Sequence, residues 1–575
     1  MRRFAPLVLL ALAVCQRPTP SATPAATAVP TVPAGWRFPV TGAVATGAHA
    51  IIVTEEPLAT HVGIEVLRTG GNAVDAATAT AFALAVTYPV AGNLGGGGFA
   101  VVRTGDGKTY ALDFRETAPA AATRDMYLGP DGTPTKDSVY GPRSAGVPGT
   151  VAGLWELHRR LGTKPWAELL APAIRIAEEG FPVTERFHAS IADEGKDMQR
   201  YAASAALYWP HDAPPQVGAT FVNPDLGRTL RRIAERGPDG FYRGETADLV
   251  AAEMARGGGL ITRADLAAYS AKWREPIEFD YRKNHVISMA PPSSGGIALA
   301  EIGNILEGYD LAALGWHSVE HIHLVAEAMR RAYADRNALL GDPDFVPWNH
   351  TILSDAYAAR RRETIDLNKA TPSDRTGPGF REGTDTTHFA VVDEKGNVAA
   401  LTYTLNRLYG SGVTVAGAGF LLNDEMDDFA VKPGTPNIFG LVQGEANAVG
   451  PGKRPLSSMS PTIVVGPDGR VVLVTGARGG SRIITGVFQV MSNALDFGMD
   501  AYTAVATPRV HHQHLPDVLF TEENGLPPDT VRALERMGHT TKVGGSVGVA
   551  PTIVRRGELW TASPDPRRGG GAEGY

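Results

Sequence analysis

The chain has 575 residues and a formal net charge of −7, with 43% hydrophobic and 20% charged side chains, a composition typical of soluble proteins large enough for one or two cores. No basic domain or Lys/Arg run stands out, which argues against a nucleic-acid partner. Its single cysteine, Cys15, excludes a disulfide framework, a cysteine-based metal site and a cysteine nucleophile in the body of the chain.

Residues 1–15 have the pattern of an export signal. Arg2 and Arg3 give the chain a positive start, and the apolar stretch at residues 7–14 is too short to cross a bilayer. Cys15 follows this stretch directly, as in the signal of a bacterial lipoprotein, but a valine precedes it where a small residue is usual. Two outcomes stay open: a lipid attached to Cys15, or cleavage of the signal elsewhere.

Residues 16–41 are rich in proline, threonine and alanine, which predicts a disordered tether rather than part of the fold. The folded region is expected to begin near Gly42. No later apolar run reaches the length of a transmembrane helix. An exported chain without disulfides fits the periplasm or cell envelope of a bacterium.

Helical and strand-like patterns follow one another along the rest of the chain. Residues 57–89 predict two helices, of which the second is mostly small and apolar and should be deeply buried. Residues 92–116 predict a β-hairpin, and residues 150–340 are mainly helical in pattern. From residue 384 the pattern changes to strands, with hairpins predicted around EKGN and GPDGR and a strand, glycine-rich loop and helix over 475–498. Strand pairs flanked by helices favour a layered α/β or α+β sandwich.

The segment GTDTTHFAVVDEKGNVAALTYTLN, residues 383–406, holds a threonine pair just ahead of a predicted hairpin. A threonine hydroxyl is a poor nucleophile unless a base activates it. A free α-amine, with a pKa of about 7.7–8.0, is such a base at neutral pH. An internal threonine gains that amine only when the peptide bond before it is cut. Taken alone, however, a polar pair at this place is most often just the start of a strand.

The same segment resembles the junction of γ-glutamyltransferases, whose precursors cleave themselves ahead of a Thr-Thr-His. The resemblance extends over residues 50–575, in the family's order. Upstream it includes GGNAVDAA, GGGGF, LDFRETAP, GVPGTVAGL, GPDGFYRG, PPSSGG and AEAMRRAYADR; downstream it includes LLNDEMDDFAVKPGTPN, ANAVGPGKRPLSSMSPTIVV, TGARGGSRIIT and PRVHHQHLPD. So many motifs in order are far more specific than one short match.

The resemblance implies an α+β fold of the N-terminal nucleophile hydrolase type. In that fold a four-layer αββα sandwich is formed jointly by two autoproteolytic subunits. Cleavage between Asp385 and Thr386 would give a large subunit of residues 42–385 and a small catalytic subunit of residues 386–575. The two subunits are expected to stay associated as a heterodimer because they share the sheets.

The resemblance also assigns catalytic roles at the matching positions. Thr386 is the expected nucleophile, and Thr404, on the neighbouring strand, is expected to orient its amine and hydroxyl through hydrogen bonds. Gly479 and Gly480 match the glycines of the oxyanion hole. A glycine pair before a predicted helix fits that role because it exposes backbone N–H groups where negative charge develops.

A γ-glutamyl group ends in an amino-acid head that carries one carboxylate and one ammonium. Arg115 matches the residue that binds the carboxylate, and a guanidinium fork suits two parallel hydrogen bonds. Asp428 matches the residue that pairs with the ammonium. Residues 432–455 resemble the lid over the pocket, with Phe439 where tyrosine also occurs in relatives. The remaining matches are polar groups of the same pocket: Asn406, Glu425, Ser457 and Ser458.

The implied activity is that of a γ-glutamyltransferase and glutathione hydrolase. Thr386 would attack the γ-glutamyl amide of a small molecule such as glutathione, form an ester, and pass the acyl group to water or to an amino acid or peptide. No cofactor and no metal are expected. Two alternatives stay open: a cephalosporin or glutaryl acylase of the same fold, and an envelope lipoprotein that binds solutes without chemistry. The ammonium-binding set argues against the first, and the intact nucleophile and oxyanion motifs argue against the second.

Three other patterns are interpreted as structural. The glycine run at residues 95–98 lacks the Gly-Lys-Ser/Thr of a phosphate loop. His511, His512 and His514 lie on one extended segment and should point in different directions.

The stretch HSVEH, residues 317–321, fits a zinc-peptidase pattern, with His317 and His321 expected on one helical face and Glu320 beside them. A zinc site needs a third protein ligand, and the sequence indicates none. We therefore expect structural histidines at the start of a helix.

Overall fold

The computed structural model describes residues 29–42, 44–373, 386–437 and 439–575. Its helices are α1 (Pro57–Arg68), α2 (Ala73–Thr87), α3 (Thr150–Leu161), α4 (Trp166–Glu179), α5 (Glu185–Glu194), α6 (Ala202–Tyr208), α7 (Pro224–Arg236), α8 (Asp239–Tyr242), α9 (Gly244–Gly257), α10 (Arg263–Ala268), α11 (Gly295–Leu306), α12 (Leu311–Leu314), α13 (Val319–Leu339), α14 (Asp355–Glu363), α15 (Arg482–Leu495), α16 (Ala501–Ala506) and α17 (Pro528–Arg536).

Its strands are β1 (Ala45–Gly47), β2 (Ile51–Thr54), β3 (Gly97–Arg103), β4 (Thr109–Phe114), β5 (Phe181–Pro182), β6 (Thr220–Phe221), β7 (Lys272–Arg274), β8 (Ile277–Tyr281), β9 (Asn284–Ser288), β10 (Thr387–Val392), β11 (Val398–Thr404), β12 (Thr462–Val465), β13 (Val471–Thr475), β14 (Val510–His511), β15 (Leu519–Thr521), β16 (Thr541–Val543), β17 (Thr552–Arg556), β18 (Leu559–Ser563) and β19 (Gly571–Gly574). The two helices predicted near the start are therefore present. All three predicted hairpins, β3–β4, β10–β11 and β12–β13, are also present as antiparallel pairs.

Two seven-stranded sheets form the centre of the molecule. One runs in the order β19-β2-β10-β11-β3-β4-β7, and the other in the order β1-β18-β17-β13-β12-β9-β8. Strand β10 shows how side chains sort between the layers, because successive residues of a strand point to opposite faces. Phe389 and Val391 join the core that includes α2, whereas Ala390 and Val392 join the core that includes the second sheet.

Helices cover the outer faces of both sheets. Helix α2 is buried along its whole length, as its small apolar residues predict, and it begins in a capping box between Asn72 and Asp75. Helices α11, α13 and α15 contribute to the core on the other side. The order helix, sheet, sheet, helix confirms the α+β sandwich expected from the sequence.

The regions on either side of Thr386 are interleaved within both sheets. Strands β10 and β11 lie between β2 and β3, and β12 pairs with β9. A cut before Thr386 would leave these ladders intact, so the two pieces would remain held together by backbone hydrogen bonds and buried apolar surface.

Several predicted features fall outside the described residues. They are the export signal with Cys15, residues 16–28 of the tether, and Asp385 at the expected cleavage site. Residues 29–41 contain no helix or strand. Contact with the body nevertheless begins before Gly42, because Trp36 donates its indole N–H to the carbonyl of Ala506 at 3.0 Å. Among the described helices, none has the length and apolar character required to span a bilayer.

Candidate active site

Thr386 lies at the entrance to β10, with 4% of its surface exposed. The β10–β11 ladder pairs Thr387 with Tyr403, which brings Thr386 beside Thr404 at the end of β11. The Thr386 hydroxyl lies 3.4 Å from the Thr404 hydroxyl. The backbone N–H of Asn406 donates to that same Thr404 oxygen at 2.9 Å, so Thr404 is fixed from one side and faces Thr386 on the other.

The glycine run at 95–98 allows another strand to approach this part of the site. A Cβ on Gly96 would lie 2.0 Å from the carbonyl oxygen of Thr404, and one on Gly98 would lie 2.4 Å from that of Thr402. Side chains cannot occupy such space, so the glycines are required by the close packing of β3 on β11. Close strand packing therefore explains the glycine run, which the sequence analysis had already distinguished from a phosphate loop.

Gly479 and Gly480 connect β13 to α15 in backbone conformations that L-residues rarely adopt, with φ of +132° and +54°. Gly480 and Ser481 line the same pocket as Thr386. Gly479 precedes them in the chain but is not itself a lining residue. The glycine pair therefore lies at the start of α15, beside the pocket that Thr386 lines. Backbone N–H groups at a helix start favour negative charge.

Thr386 and Gly480 face one pocket. Besides Gly480, nine of the residues singled out from the sequence contribute to its wall: Arg115, Thr386, Thr404, Asn406, Glu425, Asp428, Phe439, Ser457 and Ser458. Chain regions separated by hundreds of residues thus meet at one place.

Arg115 is completely buried directly after β4. Its guanidinium contacts the carboxylates of Glu425 and Asp428, and its Nε–H donates to the carbonyl of Pro455 at 3.2 Å. Burial acts against the charged form, but the surrounding carboxylates raise the pKa of Arg115 overall. Burial raises the pKa of Glu425 and of Asp428, while Arg115 opposes this shift. The pocket therefore holds a cation already paired with two acids.

Glu116 is a further acid in this group that the sequence did not single out. Its carboxylate lies 3.6 Å from the Arg115 guanidinium, and neither of its oxygens has a hydrogen-bond partner among the described residues. Burial raises the pKa of Glu116 to about 7, against the lowering effect of Arg115. In the sequence, the one indication of Glu116 was its place directly after Arg115, the residue expected to bind the carboxylate. Buried acids with a shifted pKa are frequent at functional sites.

Arg336 is a second pocket residue that the sequence did not single out. It projects from α13 and donates to the hydroxyls of Ser294 at 2.9 Å and Ser458 at 3.2 Å. Burial lowers the pKa of Arg336. The sequence could have indicated Arg336, because it ends the motif AEAMRRAYADR on a helix that is otherwise buried. Arginines are rarely buried without a partner.

Phe439 and Leu441 close one side of the pocket. The side-chain oxygen of Asn437 accepts hydrogen bonds from the backbone N–H groups of both, at 3.0 and 3.1 Å. Gln513 donates to the carbonyl of Phe439 at 3.3 Å and accepts from the Ser481 hydroxyl at 2.7 Å. The segment is therefore tied to the glycine loop by a side chain from PRVHHQHLPD.

The histidine patterns that resembled metal motifs have other partners. His317 precedes the N-cap of α13 and has a positive φ of 58°. The expectation that His317 and His321 share one helical face is therefore wrong, since the helix begins only after Ser318. Instead, the His317 backbone N–H donates to Nδ1 of His321 at 2.9 Å. Both histidines thus lie where α13 begins, with His317 just ahead of its N-cap and His321 inside the helix.

One group of metal-ligand type lies elsewhere among the described residues, formed by His323, Glu327 and His539. Glu327 is already engaged, because it accepts from Arg331 at 2.6 Å and from Arg330 at 3.3 Å. Two guanidiniums beside the carboxylate disfavour a bound cation. The His323 and His539 rings hydrogen-bond to each other at 2.8 Å. Both ring nitrogens of His323 are engaged, since Nε2 also lies 2.8 Å from the carbonyl oxygen of Asp366, whereas Nδ1 of His539 has no hydrogen-bond partner among the described residues.

The family model described as gamma-glutamyltranspeptidase matches residues 59–575. The chain is 48% identical over 528 residues to the glutathione hydrolase proenzyme of Escherichia coli (strain K12), with 90% of each chain covered. It is 49% identical over 496 residues to that of Pseudomonas sp. (strain A14), covering 85% of this chain and 86% of the relative.

Solved structures give the same result for the fold. The cephalosporin acylase from Bacillus halodurans superposes with a TM-score of 0.81 and 29% identity, covering 94% of this chain and 99% of the acylase. The γ-glutamyltranspeptidase of Helicobacter pylori superposes with a TM-score of 0.55 and 43% identity, covering 58% of this chain and 95% of that one. The sandwich is thus that of the N-terminal nucleophile hydrolases, and the chain belongs to the γ-glutamyltranspeptidase family.

Proposed function

We propose that this protein is a self-processing γ-glutamyltransferase and glutathione hydrolase with Thr386 as its nucleophile. One observation carries the proposal: the hydroxyl of Thr386 and the Arg115–Asp428 pair line a single buried pocket. A nucleophile near a cation and an anion is the complement of a γ-glutamyl amide, whose scissile carbonyl is attached to an amino-acid head.

Maturation begins with the Thr386 hydroxyl attacking the carbonyl carbon of Asp385. The C–N bond breaks as the C–O bond forms, and the nitrogen keeps a proton from the hydroxyl. Water then hydrolyses the resulting ester, which releases Asp385 as a carboxylate and Thr386 as a free N-terminal residue. The large and small subunits form a heterodimer because β10 and β11 stay paired with β2 and β3.

In turnover the free α-amine of Thr386 takes the proton of its own hydroxyl, which attacks the γ-carbonyl of the substrate. Thr404 holds the hydroxyl in place. The N–H groups of Gly479 and Gly480 face the negative oxygen of the tetrahedral intermediate. The ammonium then returns its proton to the departing amine, leaving a γ-glutamyl ester. Water or an amino-acid or peptide amine attacks this ester and regenerates Thr386.

Substrate binding replaces the ion pairs that Arg115 makes with Glu425 and Asp428. The α-carboxylate takes Arg115 with the hydroxyls of Ser457 and Ser458, and the α-ammonium takes Asp428 with Glu425 and Asn406. Buried charges are tolerated only when each has a partner. A zwitterionic head satisfies both sides at once, whereas a head with a carboxylate alone leaves acids unpaired.

The acylase alternative is kept because the fold superposes on a cephalosporin acylase. A glutaryl group lacks the ammonium that Asp428 would bind. Kinetics with γ-glutamyl and glutaryl anilides separate the two activities, and faster turnover of the glutaryl compound would favour the acylase. The solute-binding alternative predicts no turnover of either compound.

We also place the protein outside the cytoplasm, in the bacterial periplasm or envelope, on the pattern of residues 1–15. Mass spectrometry of the mature amino terminus tests this. A lipid mass on Cys15 supports anchoring, whereas a terminus further along the chain supports cleavage elsewhere. An intact Met1 in cells argues against export.

The central test is a denaturing gel of the purified protein beside its Thr386→Ala variant, with amino-terminal sequencing of the smaller band. We expect the wild type to split into two pieces, the smaller beginning Thr-Thr-His-Phe, and the variant to stay whole. A wild type that remains whole at neutral pH would count against the proposal.

A further inference from the structure

Arg336 is a buried cation in the pocket wall, and its hydrogen bonds go to neutral groups. It lies on α13, is 1% exposed and lines the same pocket as Thr386. Its guanidinium donates to the side-chain oxygens of Ser294 at 2.9 Å, Asn337 at 2.9 Å and Ser458 at 3.2 Å. Among the described residues it hydrogen-bonds no carboxylate. Because a guanidinium keeps its charge in proteins, a full positive charge is buried here with neutral partners.

Arg115 provides the contrast in the same pocket. Its guanidinium is in contact with the carboxylates of Glu425 and Asp428, and the surrounding acids raise its pKa although it is just as buried. Burial lowers the pKa of Arg336, and the attraction of Tyr333 and Asp428 does not offset that effect. A buried charge is costly until it gains a partner, so Arg336 favours an incoming anion.

The contact with Arg336 determines how the Ser458 hydroxyl is used. The Ser458 oxygen accepts from the guanidinium, and a guanidinium has no acceptor atom. The hydroxyl proton must therefore be donated away from Arg336, and no described residue accepts it. Since Ser458 lines the pocket, its proton is available to an anion bound there.

Ser457 is fixed by the same arginine through a second hydroxyl. The Ser294 hydroxyl accepts from Nε–H of Arg336 and donates to the carbonyl of Ser457 at 2.6 Å. The Ser294 backbone N–H donates to that carbonyl at 2.8 Å. The Ser457 hydroxyl accepts from the backbone N–H of Met459 at 3.1 Å, which leaves its proton for the pocket as well. Arg336 thus holds two consecutive residues, Ser457 and Ser458, as a pair of donors.

The charged side chains of the pocket wall balance only when Arg336 is included. The wall contains two bases, Arg115 and Arg336, and two acids, Glu425 and Asp428. A γ-glutamyl head adds one charge of each sign and preserves the balance. Without Arg336 the acids outnumber the bases, which disfavours a carboxylate in particular.

We propose that Arg336 is a positioning residue for the α-carboxylate of the substrate. It directs the Ser458 hydroxyl toward the carboxylate, fixes Ser457 through Ser294, and supplies the second cation of the pocket. The site thereby selects γ-glutamyl amides over γ-aminobutyryl amides, which lack the carboxylate. The inference rests on the proposed function, because it concerns recognition of that substrate's head.

Three anilides separate the parts of the head. The γ-glutamyl compound carries both charges, the glutaryl compound lacks the ammonium, and the γ-aminobutyryl compound lacks the carboxylate. In processed Arg336→Gln we expect kcat/KM to fall about 10- to 100-fold for the two compounds with a carboxylate, the loss typical of hydrogen bonds to charged groups. For the γ-aminobutyryl compound it should change by less than about threefold. With the γ-glutamyl compound the loss should lie in KM rather than in kcat.

Combining Arg336→Gln with Ser458→Ala tests whether the arginine acts through the serine. The combined rise in KM for the γ-glutamyl compound should be smaller than the product of the two single rises, because both changes disrupt one contact. A combined rise equal to that product would contradict the proposal. Arg336→Lys, which keeps the charge without the planar fork, should have a KM between those of the wild type and Arg336→Gln.

Arg331→Gln is the matched control. Arg331 also lies on α13 and is 4% exposed, but it bonds Glu327 and Thr364 and does not line the pocket. It should change the kinetics of the three compounds by one common factor, even where stability falls. Melting temperatures in the Thr386→Ala background show whether each variant is folded.

Ser294→Ala removes only the hydroxyl between Arg336 and Ser457, with little risk to folding, and should raise KM for the γ-glutamyl compound. If Arg336→Gln does not fold, an unchanged KM in Ser294→Ala overturns the inference. Where Arg336→Gln folds, a wild-type KM, equal losses with and without the carboxylate, or the same selective loss in Arg331→Gln overturns it and leaves the proposed function standing. A wild type that turns over no γ-glutamyl compound would overturn the proposed function itself.

Discussion

The ring of Phe439 occupies the space that a side chain on Gly480 would need. A Cβ on Gly480 would lie 2.6 Å from Cδ1 of Phe439, and the φ of Gly480 is +54°. The segment that covers the pocket and the loop expected to stabilise the oxyanion are therefore in direct contact. The glycine serves both, because it adopts the positive φ of the loop and leaves room for the aromatic ring.

Replacing Gly480 with alanine should therefore displace either the ring or the loop. We expect kcat/KM for a γ-glutamyl anilide to fall by about 10²–10³-fold, the loss typical of one oxyanion donor. Steady-state kinetics on processed enzyme measure this. Gly469→Ala is the control, since Gly469 has a φ of +77° but open space around it. Similar losses in both variants would point to backbone strain rather than to the contact with Phe439.

Asp428→Asn should weaken recognition of the substrate ammonium. Removing one charge of a buried pair costs about 2–3 kcal/mol, which corresponds to a roughly 30- to 150-fold rise in KM for the γ-glutamyl anilide. KM for a glutaryl anilide should rise much less. The adjacent Asp427→Asn is the control, because Asp427 accepts from Ser138 at 2.8 Å and does not line the pocket. Equal effects on the two substrates would contradict the assigned role.

Thr404→Val keeps the size of the side chain but should lower kcat by about 10- to 100-fold, the loss expected when a reacting group is misplaced. The valine lacks the oxygen that lies 3.4 Å from the Thr386 hydroxyl, so the proposed nucleophile loses its orientation. Thr404→Ser should retain most of the activity. Thr402→Val provides the comparison on the same strand, since the Thr402 hydroxyl bonds His388 at 2.8 Å rather than Thr386. Full activity of Thr404→Val would argue against an orienting role.

Glu301→Gln should stabilise the protein increasingly as the pH rises. Glu301 on α11 is 1% exposed, neither of its oxygens has a hydrogen-bond partner among the described residues, and Arg361 lies 3.7 Å away. Burial raises the pKa of Glu301 to about 8, against the lowering effect of Arg361. Between its unfolded pKa of about 4.3 and the folded value, the folded state binds a proton that the unfolded chain releases. Wild-type stability contributed by this proton is therefore lost as the pH rises through that window.

Glutamine carries no such proton, so the gap between variant and wild type should widen by on the order of 2 kcal/mol from pH 6 to pH 8. Chemical denaturation of the uncleaved Thr386→Ala background at both pH values measures the gap. The same substitution at the exposed Glu168 measures the effect of losing a solvated charge. A gap that narrows with rising pH would show that the buried carboxyl is not held neutral.

Particular residues show how far the sequence carried the prediction of the site. Thr386, Arg115 and Asp428 were singled out by motif order, and the structure brings them into one pocket. Glu116 and Arg336 were missed because a single charged residue in a sequence is more often at the surface. His317 was wrongly placed on a helix because spacing alone does not show where a helix begins. The roles assigned to the pocket residues stay predictions until the variants are measured.

The sequence by itself determined the local structure and the nucleophile hypothesis. Alternation and turn residues specify β3–β4 and β10–β11, because these depend on neighbours close in the chain. The tertiary structure alone decided which charges meet. Arg115 contacts Glu425 and Asp428, and Arg330 reaches Asp517 and Ser373, over separations that no local pattern encodes. Such pairs form only when the stacked sheets and α13 exclude water from both partners, since burial makes an unpaired charge costly and a paired one tolerable.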